Sequence, residues 1–120
     1  MAARKCAVAA IVALFVLAGA GSALAAHVHL VVTPATVSPD GVVHVSASAS
    51  PCPSRDTVIL ISAAFPGHAY GVGAVYGRVG SHGAFSVRAR IRLGLRPGRY
   101  HVGARCGGGN LGVSAYFRVR

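Results

Sequence analysis

Two sets of side chains in this sequence have the type and spacing to do chemistry. Arg88, Arg90 and Arg92 alternate along one stretch, and Arg99, Arg105, Arg118 and Arg120 fall at alternate positions of two others. Guanidinium forks match phosphate and carboxylate oxygens two at a time, so rows of this kind are suited to binding anions. His27 and His29 also alternate, which places both imidazoles on one face of an extended chain. Imidazole is a common ligand for copper and zinc, so this pair defines a metal-carrier alternative. No Met-rich loop accompanies it, and the chain has a single Met.

Other chemistry is poorly supplied. Asp40 and Asp56 are the only carboxylate side chains. Paired-carboxylate hydrolysis and carboxylate-bound Mg or Ca therefore have little to work with. No G-x-S-x-G elbow accompanies His44, His68, His82 or His101. Gly107 to Gly109 lie between two strand-like stretches rather than before a helix, so they do not form a phosphate-cradling loop. The expectation is no enzymatic activity, no catalytic residues and no cofactor.

The 120 residues leave room for one domain. Twelve Lys or Arg against two Asp or Glu give a net charge of +10, and 53% of residues are hydrophobic. Arg4 and Lys5 precede an apolar run from Cys6 to Ala18, and Ala23-Leu24-Ala25 follows as an A-x-A cleavage pattern. The run is short for a spanning helix, and Gly19, Gly21 and Ser22 dilute its end. Residues 1–25 read as a cleaved signal peptide and residues 26–120 as a secreted, extracellular domain with no membrane insertion. Two cysteines, Cys52 and Cys106, remain after cleavage. An even pair in an exported small domain favours a disulfide over a metal or catalytic role.

The elements that must position these residues are strands. Period-two alternation recurs after residue 26, broken by Gly, Pro, Asn and Asp. Seven strands are predicted: about 27–33, 42–48, 57–64, one irregular strand or bulged hairpin over 69–80, 85–93, 99–106 and 111–120. Phe85, Val87, Ala89, Ile91 and Leu93 should point inward, as should Tyr100, Val102, Ala104 and Cys106, and Val113, Ala115, Phe117 and Val119. Such a pattern predicts an all-β, antiparallel two-sheet sandwich. Cys52 and Cys106 then fall at the same pole. The arginines divide between two outer faces.

Three stretches carry a family resemblance. Val32 to Gly41 looks like an opening strand and turn, Gly83-Ala84-Phe85-Ser86-Val87 like a penultimate hairpin, and Pro97-Gly98-Arg99-Tyr100 up to Cys106 like a closing strand. Together they resemble the immunoglobulin-like domains of small exported actinobacterial proteins. The chain departs from the antibody-type pattern in having no Trp and in placing Tyr100 six positions before Cys106 rather than two. The resemblance implies a non-enzymatic binding or structural module at the cell surface or in the medium. Its expected partners are anionic envelope polymers or another surface protein, with nucleic acid excluded; the alternative is a copper or zinc carrier using His27 and His29.

Overall fold

Alternating apolar and polar residues become strand wherever the apolar half can reach a common core. The computed structural model describes residues 28–67, 71–107 and 109–120. Eight strands form: β1 (Val31–Thr33), β2 (Thr36–Val37), β3 (Val42–Ala47), β4 (Thr57–Ile61), β5 (Ala74–Arg78), β6 (Phe85–Arg90), β7 (Gly98–Cys106) and β8 (Gly109–Val119). They make a three-stranded sheet in the order β1-β3-β6 and a five-stranded sheet in the order β2-β8-β7-β4-β5. There is no α-helix among the described residues; a short 3-10 turn spans Ser81–Gly83. The segment read as a signal peptide, residue 27 and residues 68–70 lie outside the described residues.

The two sheets enclose one core. Val43, Val45 and Ala47 of β3 and Phe85, Val87 and Ala89 of β6 face Val58 and Leu60 of β4, Val102 and Ala104 of β7, and Ala115, Phe117 and Val119 of β8. Phe65, from the loop after β4, stacks on Phe117 with ring centroids 6.4 Å apart. Cross-sheet spacing is tight at Gly77 of β5, where a β-carbon would meet Val87 Cγ2 at 2.2 Å. Buried apolar area of this kind supplies the dominant favourable term in folding.

Three expectations need correction. The sandwich is not wholly antiparallel. Proline lacks an N–H and cannot continue a ladder. After Pro34 the chain leaves the first sheet, and β2 pairs in parallel with β8 on the second. Arg118 and Arg120 donate backbone N–H bonds to Ala35 and Val37 at 2.8 and 2.9 Å. This added an eighth strand where a turn was expected. The glycine-rich fourth segment is regular over Ala74–Arg78 and pairs residue for residue with β4. The predicted strand 85–93 stops at Arg90, because the Arg92 backbone turns to bond Ala64 O at 3.0 Å. Leu93 then falls in a turn and is 69% exposed.

Cys52 and Cys106 are disulfide-bonded, with their Cα atoms 5.7 Å apart. Strands β4 and β7 run antiparallel, with Ile59 opposite Arg105. The loop entering β4 therefore lies beside the end of β7. Ser50, buried in that loop, donates its hydroxyl to Gly83 O at 2.6 Å and accepts the Cys52 N–H at 3.1 Å.

Candidate functional site

Strand pairing sets which arginines meet. On β7, Arg99, His101, Gly103 and Arg105 occupy alternate positions, so they share the outer face of the five-stranded sheet. Arg118 of β8 lies directly opposite Arg99, and Tyr116 lies opposite His101. Thr36 of β2 is paired to Arg118 from the other side. The result is a row of Thr36, Arg118 and Arg99 across three strands.

The Arg99 guanidinium sits over the Tyr116 ring, 3.8 Å from its centroid. This cation–π contact holds the charge in place at an exposed site. The His101 and Tyr116 rings are 6.2 Å apart. Tyr116 is 54% exposed, and Tyr76 at the β5 edge of the same sheet is 59% exposed. Two like charges directly opposed across a strand pair repel one another. Neither carboxylate relieves Arg99 and Arg118: Asp40 lies 3.8 Å from Arg90, and Asp56 lies in the turn before β4.

The remaining predicted residues separate. Arg88 and Arg90 are exposed on β6, on the outer face of the three-stranded sheet, with Arg88 opposite His44 of β3. Arg92 lies beyond the end of β6, and its Nε donates to Ala63 O at 2.9 Å. It therefore does not continue the Arg88 and Arg90 row. Arg105 is half-buried and engaged within the protein. Arg120 is exposed at the end of the chain, one residue past β8. His29 is exposed, and His27 lies outside the described residues.

Sequence reading missed a depression of about 380 Å³ on the five-stranded sheet. It is lined by Ile61, His101, Gly103, Arg105, Asn110 and Ser114, among others. Between the pairs Gly103–Ser114 and Arg105–Asn110, β7 advances by two residues while β8 advances by four. The surplus of β8 forms a bulge at Gly112, whose φ of +68° suits glycine. Asn110 Oδ1 accepts the Gly112 N–H at 2.8 Å. The run Gly109-Asn110-Leu111-Gly112 was the available signal, but without the register it reads only as a hairpin turn.

No protein-family model matches the chain, and no curated protein matches it. Among solved structures, it is similar to the Pseudomonas fluorescens alkylpurine DNA glycosylase AlkC bound to DNA containing an abasic site analog, at 28% identity and a TM-score of 0.46. The similarity covers 77% of this chain and 29% of that protein, so the chain spans under a third of the glycosylase's length.

This similarity differs from the sequence reading. The family resemblance pointed to exported actinobacterial immunoglobulin-like proteins, whereas this solved structure is a DNA-bound glycosylase. The sequence reading expected a non-enzymatic surface module, a secreted location and no nucleic-acid partner; the protein in this solved structure is a DNA glycosylase bound to DNA. The copper or zinc alternative finds no supporting cluster. Among the described residues no group of three or more His, Cys, Asp or Glu could hold a metal ion.

Proposed function

We propose that the five-stranded sheet binds the phosphodiester backbone of nucleic acid, with Arg99 and Arg118 as the phosphate-contacting pair. The observation that carries this reading is the pairing of Arg99 directly opposite Arg118 on neighbouring strands, with the Arg99 guanidinium over Tyr116 and both Asp side chains elsewhere. An anion between them relieves their repulsion and can take forked hydrogen bonds from each. Phosphate contacts of this kind supply most non-specific affinity for nucleic acid. Exposed tyrosines interleaved with arginines favour nucleic acid over an aromatic-free polyanion, since bases stack on such rings.

The scaffold we propose is an immunoglobulin-like domain over residues 26–120. Its strand orders support that topology: β1-β3-β6 follows one sheet of such domains, and β8-β7-β4-β5 follows the other. Tyr100 adds a second support. Its hydroxyl donates to Arg96 O at 2.6 Å, four residues upstream, in the manner of a tyrosine corner.

Fluorescence anisotropy with a labelled oligonucleotide at low salt tests the binding reading. The chain should bind, and the double variant Arg99→Gln/Arg118→Gln should bind about tenfold or more weakly, consistent with losing charged hydrogen bonds. Absence of binding by the unmodified chain would overturn it.

A further inference from the structure

The depression over Gly103 lies on the same outer face as the arginine pair. Arg99 and Gly103 are four residues apart on β7, about 13 Å at the rise of a strand. Between them stand His101 and, across the strand pair, Tyr116. The floor is main chain bare of side chains at Gly103 and Gly112. A β-carbon at Gly103 would meet nothing closer than Val113 O at 3.9 Å, and one at Gly112 would meet nothing within 4 Å. Ile61 of β4 forms an apolar wall, and Ser114 of β8 is opposite Gly103.

One end of the depression carries an amide side chain. Asn110 uses its Oδ1 to hold the bulge through the Gly112 N–H. Its Nδ2 keeps two N–H donors, so this end favours a ligand with acceptor atoms on its edge. A main-chain floor left open by two glycines, an apolar wall, an aromatic pair beside it and an amide donor suit a planar heteroaromatic ring with edge acceptors. A nucleobase has that chemistry, and it is available only when unstacked.

Building on the phosphate-binding reading, we infer that the depression over Gly103 takes one unstacked nucleobase of a single strand whose phosphates lie along Arg99 and Arg118. The bulge in β8 is what makes room for the base. Single-stranded nucleic acid is thus the preferred class of ligand.

The test fills the depression without touching charge. Gly103→Val places a strand-favouring side chain where the backbone has space, so the variant should fold. Affinities for oligothymidylate and for inorganic polyphosphate, a base-free polyanion, are measured on both proteins. The unmodified chain should bind oligothymidylate more tightly than polyphosphate. In Gly103→Val, oligothymidylate binding should fall about tenfold while polyphosphate binding stays unchanged, which also shows that the variant is folded. Equal binding of both probes by the unmodified chain overturns the base site and leaves the phosphate reading standing. Oligothymidylate binding unaffected by Gly103→Val, or loss of both probes together, also overturns the base site. Binding of neither probe by the unmodified chain overturns the phosphate reading as well.

Discussion

Ser50 and Arg118 show two opposite uses of a polar side chain. Ser50 is buried, and its hydroxyl satisfies both Gly83 O and the Cys52 N–H. Ser50→Ala removes the hydroxyl and leaves two buried backbone groups without their partner. The expected loss is about 2 kcal/mol, read as a lower midpoint in denaturant with an unchanged slope. Arg118 is exposed, so replacing it should barely change stability. Arg118→Gln should unfold within about 0.5 kcal/mol of the unmodified chain while binding oligonucleotide more weakly. Arg99 and Arg118 were legible in the sequence as outward residues, because period-two alternation assigns faces directly. Their partners were not. That Arg99 meets Arg118 and Tyr116 depends on the pairing register of β7 and β8, which no local pattern in either strand encodes.

At the scale of elements, β5 and β7 carry the most specific demands. β5 approaches β6 so closely that Gly77 has no room for a β-carbon against Val87. Gly77→Ala should cost about 1–3 kcal/mol through overpacking, measured by thermal or denaturant unfolding. Tyr100 ties the start of β7 to the preceding turn through Arg96 O. Tyr100→Phe keeps the ring contact with Phe117 and removes this bond, so the expected loss is about 1 kcal/mol. The strand positions of β3, β4, β6, β7 and β8 could be read from alternation because each buries one face. Strand β2 could not: two residues after a proline carry no period. The end of β6 was also hidden, since Ile91 is buried and keeps the alternation going one residue past the ladder. The Tyr100 bond to Arg96 was obscured by the spacing from Cys106, although it reaches upstream and does not involve the cysteine.

For the whole molecule, two long-range features set behaviour. The Cys52–Cys106 bridge spans 54 residues and links the loop before β4 to the end of β7. In the chain-entropy account a loop of that length contributes about 4 kcal/mol. Unfolding measured with and without reductant should differ by about that amount. The pairing was legible because only two cysteines follow residue 25. The second feature is a strongly basic chain whose two carboxylates both lie away from the Arg99 and Arg118 row. The charge was plain in the composition, but the face on which it concentrates beside aromatic rings required the fold. The most direct test of the account is the salt dependence of oligonucleotide binding. Each phosphate contact to a single strand contributes about 0.7 to the slope of log affinity against log salt concentration. The account predicts a clearly negative slope that becomes shallower by about 1.4 in Arg99→Gln/Arg118→Gln and is unchanged in Gly103→Val. Binding that does not respond to salt, or a slope that survives loss of both arginines, would contradict it.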